Sequence, residues 1–211
     1  MENDKETKKK LIKSAKKEFI EKGYMNASLR NICKNAGVTT GALYFFFKDK
    51  DELFESTFGG AMMALKNAIG IHFNQETGAE HIDLSPQGMK DDFESAQIIL
   101  SVLFEYREEF NLILNRSQGS RYENIVDEFV DMVYKHYLKI YSKWKGYGSK
   151  KQLKEEEKFI VHWMSHDQID IFIHLLTHCK DEKQARAQMR NMFNYMVGGW
   201  IAVVNDSVIK E

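Results

Sequence analysis

The sequence predicts an all-α protein, with a small N-terminal three-helix domain built on a helix-turn-helix and a larger helical domain after it. Three observations carry that expectation. The 211 residues include a single proline, Pro86, so few positions interrupt a helix. Apolar residues recur at intervals of three and four, which lines them along one face of a helix. Near the N-terminus two short periodic segments meet at Gly37-Val38, a corner with the residues a tight inter-helical turn needs. With 43% hydrophobic residues, the chain can bury a sizeable core and does not read as disordered.

Residues 5–22 form the first helix, with Leu11, Ala15 and Phe19 as its inner face, and Gly23 stops it. Ser28 opens the second helix, its hydroxyl able to cap free backbone donors. Leu29, Ile32, Cys33 and Ala36 give that helix one apolar face, and Gly37 ends it. Val38 plugs the corner and Thr39 caps a short third helix that sends Leu43 and Phe47 inward. Thr40, Gly41, Ala42 and Tyr44 are left facing outward at its N-terminal end. Asp49 with Glu52 three residues on makes a capping box for a fourth helix, which runs through Leu53, Phe58 and Leu65 towards Phe73. Free amides at that helix start, with Lys48 and Lys50, form a seat for a phosphate.

Gly78, Pro86 and Gly88 mark residues 75–88 as a loop. Helices are expected at 90–105, 107–115 and 121–145, broken at 117–120. The segment 146–151 is a loop, and two final helices span 155–179 and 181–208. The last two are apolar on more than one face, so each needs two neighbours. Gly198-Gly199 costs about 1 kcal/mol per residue relative to alanine inside a helix. The benefit is close backbone approach, either to a second subunit or within one.

Charge divides the chain where the motif does. Residues 1–50 hold twelve Lys or Arg against six Asp or Glu, a balance of +6, and the remaining residues carry −7. A basic head on an acidic body suits a domain that meets nucleic acid joined to one that does not. The two cysteines, Cys33 and Cys179, are far apart in sequence and in helical segments, so reduced thiols are expected and no cysteine metal set exists. The lysine-rich N-terminus has no apolar run, no segment is long enough to span a membrane, and a cytoplasmic location is expected.

The run G-V-T-T-G-A-L-Y-F-F-F-K-D-K-D-E-L-F, from Gly37 to Phe54, strongly resembles the recognition segment of the tetracycline-repressor (TetR) family of bacterial transcription regulators. The resemblance covers about a quarter of the chain, from Lys8 to Phe58. It implies a helix-turn-helix DNA-binding domain at 1–50 and a helical effector-binding and dimerisation domain at 51–211. It also implies a regulator, most simply a repressor, released from a pseudo-palindromic operator by an unknown small molecule. The dimer would form through the last two helices, and no enzyme activity or cofactor is expected.

Carried over position by position, the resemblance places Arg30, Thr39, Thr40, Gly41, Ala42, Tyr44, Phe45, Lys48 and Lys50 at the DNA. Of these only Arg30 offers the strong cation-to-guanine contact, whereas threonine and alanine suit thymine methyl groups, so the operator leans to A·T. Phe45 and Phe46 stand where a histidine and a tyrosine are commoner in the family, which removes two polar phosphate donors. For the effector pocket the candidates are Met62, Phe93, Arg116, Phe129, Met132, His136, Trp163 and Tyr195.

Two rival readings belong to other classes. His162, His166, Asp170, His174 and His178 step at intervals of four along one predicted helix, a spacing at which neighbouring histidines can share a metal. A metal-dependent enzyme could use His162, His166, His174 and His178, but the row drifts around the helix and leaves the basic head unexplained. The simpler reading of the row is a set of polar positions at a seam or surface, with no metal. The other rival is a helical interaction module whose head no longer binds DNA, motivated by Phe45 and Phe46.

Overall fold

The computed structural model of the chain describes residues 2–78, 85–147 and 153–205. All regular structure among them is helical, as expected: α1 (Glu2–Asn26), α2 (Leu29–Ala36), α3 (Thr40–Phe46), α4 (Lys50–Gly78), α5 (Pro86–Glu105), α6 (Arg107–Arg116), α7 (Ile125–Trp144), α8 (Glu155–His178) and α9 (Glu182–Asn205). They form two compact units, one of Met1–Ala64 with Tyr106–Ile125, the other of Leu65–Glu105 with Val126–Glu211. Among the described residues no helix is long and apolar enough to cross a membrane.

The first unit holds the helix-turn-helix. Leu11, Ala15 and Phe19 of α1, Ile32 of α2, Leu43 of α3 and Leu53, Phe54 and Phe58 of α4 are fully buried. Polar ties set the helices on this core. Ser14 Oγ donates to the Ile32 carbonyl at 2.8 Å. The Glu18 carboxylate accepts from the Ser28 amide at 3.1 Å and from Asn31 Nδ2 at 3.4 Å. A buried carboxylate from α1 therefore faces the amide-rich start of α2, where the helix dipole favours negative charge. That role leaves no sequence signature, because Glu18 reads as one more surface acid.

The helix opened by residues 5–22 does stop at Gly23, whose φ of 75° and ψ of 169° lie outside the helical region. A further turn carries the chain on to Asn26. Arg116 of α6 closes the break, its guanidinium donating to the carbonyls of Ile20 at 2.6 Å and Glu21 at 3.3 Å. These are orphan carbonyls of a helix end, and a cation there is favoured. A Cβ built on Gly23 would lie 3.2 Å from Arg116 Cβ. We expect Gly23→Ala to destabilise the protein by about 1–3 kcal/mol, because it puts a side chain on a positive-φ, extended backbone that is essentially glycine's alone and adds a tight contact. Chemical denaturation measures this, and an unchanged midpoint would contradict it.

Lys16 Nζ is 2.5 Å from Glu109, so α6 is bound to α1 at a second point. After α6 the chain turns through Ser117–Ser120, where Gly119 takes a φ of 79°. The Arg121 amide and guanidinium both donate to Asp51 of α4, at 3.0 Å and 2.9 Å. The Tyr122 hydroxyl donates to Glu55, and burial together with that carboxylate pushes the phenol pKa well up. These ties make residues 121–124 turn rather than helix, so the helix expected from 121 begins only at Ile125.

In the second unit α5, α7, α8 and α9 pack around two clusters. One joins Tyr137, Ile140, Tyr141, Val161, Met164 and Trp200. The other joins Ala96, Leu100, Leu175, Cys179, Ala185 and Met189. Cys33 in the first unit and Cys179 in the second are both buried, and neither is joined in a disulfide. Arg186 pins α9 to α5 through Gln97 and Ser101, and its Nε donates to Glu182 at 2.8 Å.

The loop expected at 75–88 is shorter on both sides. Helix α4 continues to Gly78 and α5 begins at Pro86, leaving 79–84 outside the described residues. Proline is compatible with the first helical turn, where its missing amide costs nothing. The Ser85 hydroxyl accepts from the Gly88 amide at 3.2 Å, so Ser85-Pro86 is a helix start. The expected end of the last helix at Val208, and most of the loop at 146–151, also fall outside the described residues.

Candidate nucleic-acid interface

The third helix is only seven residues long, and propensity alone would not hold it in water. Its position comes from both ends and from beneath. Thr39 Oγ1 accepts from the Ala42 amide at 3.1 Å, as its place before the helix implies. Ser28 does the same for α2, accepting from Asn31 at 3.4 Å. Gly37 takes the left-handed conformation at φ 68°. The Gly37 amide bonds to the Lys34 carbonyl at 3.2 Å and the Val38 amide to the Cys33 carbonyl at 3.0 Å, closing the corner. Leu43 and Phe47 are 0% and 1% exposed, so the inner face is anchored.

The outer face carries the residues named for DNA contact. Thr39, Thr40 and Gly41 are exposed and Ala42 is half-buried. Tyr44 is 57% exposed and Phe45 76%, the latter edge-on to Phe46 with ring centres 5.0 Å apart. Arg30 and Lys48 are exposed as well. The arrangement is a short protruding helix with hydroxyls, a methyl and a phenol at its tip, flanked by cations. A helix of this kind fits the major groove with its N-terminal residues towards base edges.

Lys50 and the start of α4 differ in detail from the expected phosphate seat. Lys50 Nζ donates to the Met25 carbonyl at 3.1 Å and lies 4.8 Å from the Tyr24 ring centre, and partial burial lowers its pKa. Asp49 Oδ1 accepts from the Glu52 amide at 2.8 Å, as a capping residue should. The Glu52 carboxylate reaches past Asp49 to the Lys48 amide at 2.6 Å. Two backbone donors are thus taken by the chain's own carboxylates, and Lys48 is the more outward of the two lysines.

The second unit contains a cavity lined by residues of α4, α5, α7, α8 and α9, among them His72, Glu76, Asp92, Tyr137, Gln168 and Trp200. The eight side chains expected at an effector pocket lie elsewhere. Met62 is buried in the first unit, and Arg116 caps α1 there. Phe93 packs edge-on to Phe193. Phe129 is buried and Met132 half-buried outside the cavity wall. Trp163 and Tyr195 are 51% and 63% exposed. His136 comes closest, because its Nε2 lies 2.5 Å from Glu76 Oε2, one of the lining carboxylates. Neighbouring residues on a helix point about 100° apart, so a stripe chosen one position off faces a different neighbour. His72, Glu76 and Asp92, which do line the cavity, are not among the sequence candidates, although His72 and Glu76 stand four residues apart.

The histidine row on α8 splits into pairs. His162 and His166 have ring centres 4.8 Å apart, and His174 stacks on His178 at 4.2 Å. Among the described residues, the three metal-capable side chains whose ligand atoms converge are His72, Glu76 and Asp92, not members of the row.

Comparison with known proteins follows the same division. Residues 11–57 match the family model described as bacterial regulatory proteins, tetR family. The chain is 41% identical over 56 residues to the HTH-type transcriptional repressor BepR of Brucella suis biovar 1 (strain 1330), covering 26% of this chain and 27% of that one. It is 45% identical over 49 residues to the HTH-type transcriptional regulator AcrR of Shigella flexneri, covering 23% of each. These matches span about a quarter of the length of those relatives. The fold is similar to that of native NalD, the secondary repressor of the MexAB-OprM multidrug efflux pump in Pseudomonas aeruginosa. The TM-score is 0.60 at 16% identity, over 93% of this chain and 97% of that one. A TetR-like transcriptional regulator from Rhodococcus sp. RHA1 gives 0.58 at 14%, over 92% and 96%. At such identities the likeness is one of fold.

Proposed function

From the premise that residues 11–57 form the N-terminal domain of the tetR family of bacterial regulatory proteins, we propose that this chain is a DNA-binding transcriptional regulator that represses its target genes. The observation that carries the reading is the rigid, capped α3, with Leu43 and Phe47 buried beneath and Thr40 and Tyr44 exposed at its tip. The excess of positive charge in residues 1–50 supplies the sequence-independent attraction to phosphate. Thr40, Gly41 and Ala42 read bases, Tyr44 and Lys48 hold backbone, and Arg30 reaches a base or phosphate from α2.

The protein acts as a homodimer through α8 and α9, and a small molecule bound in the second unit releases it from its operator. Three features support the dimer. Phe159 and Trp163 on α8 and Tyr195 on α9 are large apolar side chains left exposed at 74%, 51% and 63%. A Cβ at Gly198 or Gly199 would meet nothing within 4 Å, so neither glycine serves close packing inside the described chain. A second copy would supply the second neighbour that each helix needs. Two such heads read a pseudo-palindrome with half-sites about one turn, ~34 Å, apart.

The test is a mobility-shift titration of the full chain on DNA from upstream of its own gene. Tyr44→Ala is expected to weaken operator binding about tenfold, or ~1.4 kcal/mol. Lys48→Ala should lower the slope of log affinity against log salt by about one unit, as loss of one phosphate contact requires. Wild-type protein that binds this DNA no more tightly than random duplex at the same salt would overturn the assignment and leave the helical interaction module in its place.

A further inference from the structure

The second unit holds a cluster that DNA binding does not use. His72 and Glu76 sit one turn apart on α4 and so share a face of that helix. Asp92 comes from α5. One ligand atom from each of the three lies within 4.8 Å of the other two, and all three line the same cavity. A second layer stands behind them. His136 of α7, only 5% exposed, places Nε2 2.5 Å from Glu76 Oε2. Its ring stacks on Phe73 with centres 3.8 Å apart and planes 2° from parallel. On the wall of the same cavity Gln168 Oε1 is buried without a hydrogen-bond partner.

We propose that this cavity binds a divalent transition-metal ion through His72, Glu76 and Asp92, and that the ion is an effector the regulator senses. This deepens the function proposed above and rests on it. The donor set is the first reason. An imidazole nitrogen with two carboxylates suits zinc and its neighbours, whereas calcium and magnesium prefer oxygen alone. A tetrahedral ion with bonds of ~2.1 Å separates its donors by about 3.4 Å, so a rotamer-scale adjustment closes the set.

The surroundings are the second reason. Metal sites orient their ligands with hydrogen bonds from a further layer, and His136, itself pinned by Phe73, does this for Glu76. Three protein ligands leave a position open to the cavity, the arrangement of an exchangeable rather than a closed structural site. A metal-bound water is the kind of donor that the orphaned Gln168 acceptor lacks. The two carboxylates come from different helices, α4 and α5, so occupancy by the ion couples elements that sequence separates. The histidine row on α8 is the competing location and serves as the internal control.

The experiment uses untagged full-length protein, stripped with chelator and titrated with cobalt(II). A visible absorption band saturating at one ion per chain is expected. His72→Ala and Asp92→Asn should abolish it, and the His174→Ala/His178→Ala double variant should keep it. Thermal melts confirm folding, and the near-isosteric Asp92→Asn keeps the result readable if His72→Ala fails to fold. Operator affinity measured with and without zinc should change at least fivefold in wild type and not in His72→Ala.

Operator binding with no cobalt band overturns the metal site and leaves the DNA reading standing. A band lost in His72→Ala, in a protein that binds no operator, confirms the site and overturns the regulator. A band lost only in the His174→Ala/His178→Ala variant, or a cavity that takes an organic ammonium probe while excluding cobalt, also overturns the proposal.

Discussion

Phe54→Ala is expected to lower the stability of the DNA-binding unit by about 3–5 kcal/mol and to remove operator binding with it. Phe54 is fully buried on α4. Its ring meets Phe19 edge-on at 4.8 Å, Tyr24 at 4.9 Å, Phe58 at 4.7 Å and Tyr122 at 5.9 Å. It therefore joins α1, against which α2 and α3 are set, to α4 and the turn after α6. Aromatic pairs of this geometry add to the energy of burial, and a close-packed interior relaxes only partly into the space left. Chemical denaturation followed by tryptophan-independent circular dichroism gives the loss directly. A loss below about 1 kcal/mol would mean that the cluster is not the keystone described.

The second large effect separates two adjacent residues. Leu43→Ala is expected to cost about 2–5 kcal/mol, whereas Tyr44→Ala should stay within about 0.5 kcal/mol of wild type. Leu43 is the one buried side chain within α3 itself and is 0% exposed, while Tyr44 is 57% exposed. A helix of seven residues depends on tertiary packing for its existence, so removing the anchor frees the whole tip. Leu43→Ala should then lose operator affinity through disorder of α3, and Tyr44→Ala through loss of contact alone. Equal stability of the two variants would contradict the assignment of inner and outer faces.

Several elements were legible because local chemistry decided them. Ser28 and Thr39 cap their helices as their positions before apolar periodic runs imply. Gly37 adopts the positive φ that a glycine at that corner suggested, and the 3.6-residue period of α1 to α4 sent Leu11, Ile32, Leu43 and Phe54 inward. The loop expected around Pro86 was misread because proline marks both a break and a helix start, and only Ser85 ahead of it tells which.

What resisted reading was everything that depends on which side chain meets which across long sequence separations. Arg116 looked like a pocket residue, but tertiary structure spends its guanidinium on the Ile20 and Glu21 carbonyls, some 95 residues away. Sequence marks Lys50 for a phosphate but not its hydrogen bond to the Met25 carbonyl, nor that Glu52 reaches the Lys48 amide rather than that of Asp49. The eight effector-pocket candidates do not line the cavity of the second unit for the same cause. Met, Phe and Trp on an apolar stripe carry no mark that distinguishes a cavity wall from solid core, and one step along a helix changes the neighbour.

By itself the amino-acid order determined that this chain is helical, that residues 28–50 form two short helices about a glycine corner, and that the positive charge lies at that end. Those outcomes follow from backbone propensity, capping and periodicity, which act over a few residues. Only tertiary structure decided that Glu18 sits under α2, that α6 closes the end of α1, and that His72, Glu76 and Asp92 converge with His136 behind them. Such meetings depend on how whole helices pack, and no short window of sequence contains that information.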